Sequence, residues 1–244
     1  MSENKQTRIN KFLSQTGYCS RREADKLIDQ GRIKINGEIA EKGAKIEKKD
    51  KVTVNGKTVE YQDKKKNVYI AFNKPRGIVC TTDTKREKNN IIDYIGYPTR
   101  IFPVGRLDKP SEGLIFLTND GEIVNKILRS RNNHDKEYEV LLNKPITTFF
   151  VNEMQNGVPI LDTITKKCQV KQTGKKSFNI ILTQGLNRQI RRMCEYLGYE
   201  VRKLKRIRIM NINLDLKTGE YRTLTQSELY TLNQLLANSS KTSS

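Results

Sequence analysis

The sequence predicts an α+β protein: a small N-terminal module followed by a larger domain on a mostly antiparallel or mixed sheet with flanking helices. Three observations predict it. Short apolar runs with period-two alternation are linked by Asn-Gly and other turn signals, so the strands are many, short and hairpin-joined. Helical stripes of three to four residues' spacing, two of them opened by capping boxes, stand between those runs, with no repeat at solenoid periods. The third is length: 244 residues are enough for two cores, and the charged run Asp63-Lys64-Lys65-Lys66-Asn67 reads as an exposed break between them. The expected organisation is therefore a module over 1–62, a linker over 63–67, a second domain over 68–237 and a tail over 238–244. The tail has nothing to bury and is expected to be disordered.

Within the module, Ile9, Phe12 and Leu13 form the stripe of a short helix between Thr7 and Gly17. Ser20-Arg21-Arg22-Glu23 is a capping box opening a second helix, which buries Ala24, Leu27 and Ile28 and stops at Gly31. Ile33 and Ile35 alternate into an Asn36-Gly37 turn and Ile39; Val52 and Val54 lead to a second turn at Asn55-Gly56.

In the larger domain, Val68 to Phe72 reads as a strand delivering Asn73-Lys74-Pro75-Arg76-Gly77, and Ile78 to Thr82 as another. Asn90 to Ile95 is a short helix. Pro103, Pro110 and Gly113 bound a loop holding Gly105-Arg106-Leu107-Asp108, ahead of the buried strand Leu114 to Leu117. A helix over Glu122 to Arg129 faces Ile123, Ile127 and Leu128 inward. Lys136 to Leu142 is a strand, and Thr147 to Asn156 a helix burying Phe150 and Met154. Ser177 to Thr183 is a strand, Arg188 to Leu197 a helix, and Glu200 to Leu214 a strand broken by basic residues. After Tyr221 to Leu224, Thr225-Gln226-Ser227-Glu228 is a capping box for a last helix that buries Leu229, Leu232 and Leu235.

Composition narrows function. Forty-six Lys and Arg against 27 Asp and Glu give a net charge of +19, which calls for an extended polyanion, nucleic acid first and an anionic membrane surface a distant alternative. No apolar run approaches the roughly 20 residues of a membrane span, and the N-terminus has no apolar signal core, so the expected compartment is the cytoplasm. Cys19, Cys80, Cys168 and Cys194 are scattered, with no C-x-x-C pair, and predict neither disulfides nor zinc. The single histidine, His134, reads as a polar loop residue beside Asn132, Asn133 and Asp135. Catalysis, if present, rests on carboxylates, Tyr, Lys, Arg or Cys. An Asp between Pro and Gly is by itself most often a turn residue, yet a loop carboxylate just ahead of a rigid strand is well placed for chemistry.

Several stretches carry a family resemblance. Arg8 to Leu13, Cys19 to Ala24 and Arg32 to Gly37 are similar to the S4-type RNA-binding domain. The resemblance implies that Arg8, Lys11, Arg21, Arg22, Arg32 and Lys34 are phosphate donors from a basic helix pair. Asn73-Lys74-Pro75-Arg76-Gly77, Gly105 to Gly113, and Gln184-Gly185-Leu186-Asn187-Arg188-Gln189-Ile190-Arg191-Arg192-Met193 resemble three motifs of the RsuA/RluB/RluE/RluF branch of RNA pseudouridine synthases. With the module the likeness covers nearly the whole chain. Ile101 to Lys109, Gly113 to Asn119, Gly157 to Thr163 and Thr165 to Cys168 narrow it to the branch's large-subunit ribosomal F group.

The resemblance implies an isomerisation that breaks N1–C1′ of a uridine, turns the base over and rejoins it through C5. It involves no net redox change, so no cofactor and no metal are expected. Asp108 takes the ribose role, as nucleophile at C1′ or base at C2′. Arg191 is its permanent positive partner, its fork suited to a bidentate carboxylate. Tyr138, in Lys136-Glu137-Tyr138, offers a ring for the extruded base and a hydroxyl near C5; taken alone it reads as a packing strand tyrosine. Arg106 opens the helical stack, and Lys74, Arg188 and Arg192 join it as RNA contacts. The implied partner is a stem-loop of large-subunit ribosomal RNA, and nothing in the sequence argues for more than a monomer. Two rivals stand beside this reading: a non-catalytic RNA-binding or ribosome-assembly protein, and a synthase acting on tRNA.

Overall fold

The structure is a computed structural model that describes residues 6–60, 66–128, 133–237 and Ser239. Most of the expected linker, the tail apart from Ser239, Arg129 and Asn132 lie outside the described residues. The chain divides into two compact units, Met1–Asn67 and Val68–Ser244.

The first unit runs β1 (Thr7–Arg8), α1 (Ile9–Gln15), α2 (Arg21–Asp29), β2 (Ile33–Ile35), β3 (Glu38–Ile39), β4 (Lys45–Ile46), β5 (Val52–Val54) and β6 (Lys57–Thr58). β1 pairs with β4, and the others form a four-stranded sheet in the order β3-β2-β5-β6. Both hairpins turn as their sequences demand: Asn36 and Gly37 have φ of 52° and 96°, Asn55 and Gly56 of 52° and 79°, so both central residues of each turn are left-handed. Ile9, Phe12, Leu13, Ala24, Leu27, Ile28, Ile33, Ile46, Val52 and Val54 form one core; the two helical stripes, Ile33, Val52 and Val54 are as expected, Ile46 joins them, Ile35 is half-buried and Ile39 is exposed. Ser20 caps α2, its Oγ accepting from Glu23 N at 3.1 Å, which is one half of the expected box.

The second unit runs β7 (Tyr69–Lys74), α3 (Ile91–Ile95), β8 (Phe102–Val104), β9 (Glu112–Thr118), α4 (Gly121–Leu128), β10 (Lys136–Leu142), α5 (Thr148–Asn156), β11 (Pro159–Ile160), β12 (Thr163–Ile164), β13 (Gln169–Gln172), β14 (Ser177–Leu182), α6 (Gln189–Tyr196), β15 (Val201–Ile209), β16 (Ile212–Asn213), β17 (Tyr221–Thr223) and α7 (Gln226–Leu236). Nine strands make one sheet, ordered β13-β14-β10-β15-β9-β7-β17, with β16 paired to β15 and β8 to β9. It is mixed: β15 and β9 are parallel, and the other pairings are antiparallel. The parallel joint is short, Lys205 opposite Glu112 and Arg206 opposite Gly113. Beyond it the same edge of β9 goes to β8, Val104 opposite Phe116, so β15 joins β9 only at its first two residues, where the Asp108 loop enters it. Gly113 has φ of +109°, and a Cβ there would run into the backbone of Arg206; only glycine lets the two strands meet.

Several expectations are corrected. Ile78 to Thr82 is not a strand; Val79 makes an isolated bridge to Asn90. Both edges of β7 are already occupied, by β9 and β17, leaving that segment no ladder to join. The expected broken strand over Glu200 to Leu214 is a continuous β15 followed by a hairpin, turned at Met210 with φ of 52°. On α7 the buried residues are Leu232 and Leu236, while Leu235 is 49% exposed. It stands about 100° round the helix from Leu236 and off the apolar stripe. Leu128, one residue past the buried Ile127, is likewise exposed. His134 lies in a loop but is buried, with Nε2 2.9 Å from Ser239 Oγ. Among the described residues no helix is long and apolar enough to cross a membrane.

Candidate active site

Beside the short joint of β9 and β15 lies a cleft of about 580 Å³, within the usual range for a ligand site. Arg106, Asp108, Lys136, Tyr138, Arg188 and Arg206 line it, together with Leu182, Leu186, Ile190 and Leu204. Polar groups converging on a partly apolar wall suit a base that must be gripped by its ring and its edge.

Asp108 is held by its neighbours' backbone. Gly105, with φ of 79°, turns the chain out of β8, and Leu107 is buried, its N–H donating to Cys80 Sγ at 3.4 Å. Ser111 N donates to Asp108 O at 2.9 Å and Gly77 N to Lys109 O at 2.8 Å, so the Pro75-Arg76-Gly77 turn is stitched to the far side of the same loop. The carboxylate itself is 31% exposed, facing the cleft rather than sealed from it.

Arg191 comes from α6 and is buried. Its Nε stands 3.9 Å from Asp108 Oδ2. The expected bidentate fork is not formed. Nη1 donates to Val201 O at 3.1 Å, and Nη2 to Ser111 Oγ at 3.1 Å and Pro110 O at 3.4 Å. Those acceptors come from the Asp108 loop and from β15, so the guanidinium ties both to α6, while Nε, which has no hydrogen-bond partner among the described residues, is left facing the carboxylate. Burial is the largest influence on Arg191 and pushes it below its ordinary value; Arg188 acts the same way and Asp108 opposes them.

Tyr138 lies on β10 directly opposite Arg206 of β15, after a bulge between Glu137 and Tyr138. Arg206 Nη1 donates to the Tyr138 hydroxyl at 3.5 Å, and its Nε donates to Leu114 O at 2.6 Å, so one guanidinium spans from β9, which the Asp108 loop enters, to the tyrosine. Lys136, two residues before Tyr138 and on the same face of β10, is buried and donates to His134 O at 3.1 Å. Burial, with the nearby charge of Arg206 adding to it, pushes Lys136 down to about 8.

Other expected contacts fall less evenly. Lys74 is corrected: it is fully buried, donating to Pro75 O at 2.9 Å and Ile78 O at 2.8 Å, and it fixes the turn under the Asp108 loop instead of reaching RNA. Burial is the chief cause lowering its pKa, with Cys80, Asp108 and Glu112 opposing. Arg106 and Arg188 are exposed at the cleft. Arg188 has φ of 50° and sits 3.8 Å from Glu195, while Arg192 is half-buried and folds back on Asn187 at 3.1 and 3.2 Å. In the first unit Arg8, Arg21, Arg22, Arg32 and Lys34 are exposed and Lys11 is half-buried. The Arg32 guanidinium is tied to Asn55 at 2.6 Å and Gln30 at 3.2 Å. The sequence leaves Arg206 among the basic residues of the Glu200 to Leu214 strand and passes over Lys136 and Ser111 as site residues. The signal for Lys136 is its two-residue step from Tyr138; for Arg206 there is none, because its register against Tyr138 is set by the bulge.

The chain belongs to the RNA pseudouridylate synthase family, whose model matches residues 68–196, and the S4 domain model matches residues 7–52. It is 54% identical to the dual-specificity RNA pseudouridine synthase RluF of Escherichia coli K12, over 96% of this chain and 80% of that one. Against the Bacillus subtilis ribosomal large subunit pseudouridine synthase B it is 35% identical, over 93% of this chain and 96% of the relative. The solved structure described as a pseudouridylate synthase matches 92% of this chain and 99% of its own, with a TM-score of 0.68 and 30% identity. The protein is thus an enzyme that converts uridine in RNA to pseudouridine, carrying an S4-type RNA-binding domain.

Proposed function

We propose that this enzyme isomerises a uridine in a stem-loop of large-subunit ribosomal RNA, with Asp108, Tyr138 and Arg191 as its catalytic set. The observation that carries the reading is the cleft in which Asp108, backed by Arg191 at 3.9 Å, and Tyr138 both stand. Asp108 acts at the ribose, as nucleophile at C1′ or base at C2′. Tyr138 supports the extruded ring and places its hydroxyl at C5, where a proton must leave. Arg191 keeps a positive charge beside the carboxylate, and Arg106 and Arg188 at the cleft rim take the flanking phosphates. Ribosomal RNA as substrate, and with it the cytoplasm as the place of work, is supported by the names of the bacterial relatives, one of them a large-subunit enzyme at 35% identity.

Asp108→Asn is nearly isosteric, and its amide can neither attack C1′ nor accept the C2′ proton. Pseudouridine formation on a large-subunit RNA fragment should fall to background while RNA binding stays within about tenfold, roughly 1.4 kcal/mol. Substantial turnover by this variant would return Asp108 to a turn residue. The 54% identical relative is named a dual-specificity enzyme, which favours a second RNA class as well, and a tRNA stem-loop is the second reading. Pseudouridine maps of total RNA from cells with and without the gene separate the two.

A further inference from the structure

Two buried cations share the cleft wall without a carboxylate partner. Arg206 is 4% exposed and Lys136 8%, and neither forms an ion pair among the described residues. Glu137, next to Lys136 on β10, is taken by Arg208 at 2.9 Å, and Asp135, which precedes Lys136, acts on it by charge without an ion pair among the described residues. Arg206 Nη2 is buried with no hydrogen-bond partner among the described residues, and the Lys136 ammonium, a three-proton donor, uses one bond to His134 O. Unpaired cations are costly to bury, so a pair kept in a cleft implies an anion that arrives with the substrate. Gly113 and the cross-strand registers hold Arg206 against Tyr138, which fixes where that anion must lie: beside the tyrosine hydroxyl.

We propose that Lys136 and Arg206 form the seat for the negative charge of the uracil ring once it has left the ribose, and are catalytic residues in that step. The inference rests on the reading that Tyr138 addresses C5. When N1–C1′ breaks heterolytically the electron pair stays with the ring and spreads over N1, O2 and O4. C1′ is taken up either by Asp108 in a C–O bond, or by the C2′–H electron pair, which forms a C1′=C2′ bond as Asp108 accepts the C2′ proton. O4 is carried by C4, the atom bonded to C5, so a ring with C5 at the Tyr138 hydroxyl brings O4 to Arg206 and Lys136. The ring turns within that cationic wall and C5 bonds to C1′, as the C1′–Asp108 bond breaks and frees the carboxylate, or as the C1′=C2′ pair takes its proton back from Asp108 at C2′; the C5 proton is then lost and N1 is protonated. Atoms and charge balance with no further reactant. The depressed Lys136 titration, near 8, agrees with an ammonium built to be neutralised by an incoming anion.

The test is Lys136→Met, which keeps the stem and removes the charge, with Lys136→Arg and Arg206→Lys as charge-keeping variants. RNA with uridine and RNA with 5-fluorouridine at the target position are compared in single-turnover assays that follow loss of the starting nucleoside. Fluorine makes the ring more acidic, so it leaves with less help. Lys136→Met should lose on the order of 100-fold in rate on uridine, as for removal of one preorganised donor to a developing anion, and less than about tenfold on 5-fluorouridine. RNA affinity and its salt slope should not change, and both charge-keeping variants should recover most of the rate. Equal losses on the two substrates would overturn the proposal. So would weaker RNA binding with a salt slope reduced by about 0.7, which would make the seat a phosphate site. Asp108→Asn is run beside it: turnover there undoes the catalytic set itself, whereas an inactive Asp108→Asn with equal losses in Lys136→Met undoes this inference alone. Should Lys136→Met melt early, Lys136→Arg decides, since recovered rate requires the charge and not the shape.

Discussion

At the scale of single residues, Arg191 does two jobs that a substitution can separate. Its Nη groups hold Val201 O, Pro110 O and Ser111 Oγ, and its Nε faces Asp108. Arg191→Lys keeps one positive charge but has no fork, so part of the activity should remain with a modest drop in melting temperature. Arg191→Met loses the charge and leaves buried acceptors unpaired, at about 1–3 kcal/mol each. It should abolish turnover and lower stability together, as read by single-turnover assays and thermal melts; a Met variant as stable as wild type would contradict the tethering role. The position of Asp108 is legible from its Gly-Arg-Leu lead-in and the apolar run behind it. What Arg191 bonds is not, because its acceptors are mostly backbone carbonyls that pattern cannot show. Lys74 departs from expectation for a related reason: a lysine in a sequence is taken as solvated, yet its two acceptors are carbonyls of the turn that begins at the next residue.

At the scale of elements, legibility follows locality. Both Asn-Gly hairpins, the N-caps at Ser20 and Thr225, and the stripes of α1 and α2 are fixed by residues within a few positions of one another, and all can be read. Ile78 to Thr82 has strand composition, but whether it pairs depends on the edges of β7, which distant residues fill. Helix α7 shows how a local signal and a distant partner combine. Glu228 closes the capping box, accepting from Thr225 N at 2.8 Å, and receives the Arg222 guanidinium of β17 at 2.7 and 2.8 Å. The Arg222 bond, chiefly, lowers Glu228 to about 2. A carboxylate depressed in the fold stabilises fully above its ordinary value, 4.5, and that contribution is lost as pH falls from there towards 2. Glu228→Gln should therefore cost about 2 kcal/mol at pH 7, discounted for partial exposure, and the gap to wild type should close between about pH 4.5 and 2. Denaturation curves at several pH values measure it; a gap independent of pH would assign the loss to packing.

At the scale of the whole molecule, the net charge of +19 is shared between two units that each carry their own core, so grip and chemistry can be divided. The first unit holds Arg8, Arg21, Arg22, Arg32 and Lys34 on its surface, and the cleft with Asp108, Tyr138 and Arg206 is lined wholly by residues of the second. Removing residues 1–66 deletes no lining residue and none of the cores that support the cleft. The shortened enzyme, beginning at Asn67, should fold and keep its single-turnover rate at saturating RNA, while its affinity falls. Every phosphate that the deletion leaves without its cation should flatten the plot of log K against log salt by roughly 0.7 on single-stranded RNA, so a module that grips three phosphates would remove about 2 from the slope. A weaker affinity with an unchanged slope would mean that the module works through non-ionic interactions. An unchanged affinity would mean that the basic rim of the cleft, Arg106 and Arg188 foremost, carries the RNA alone.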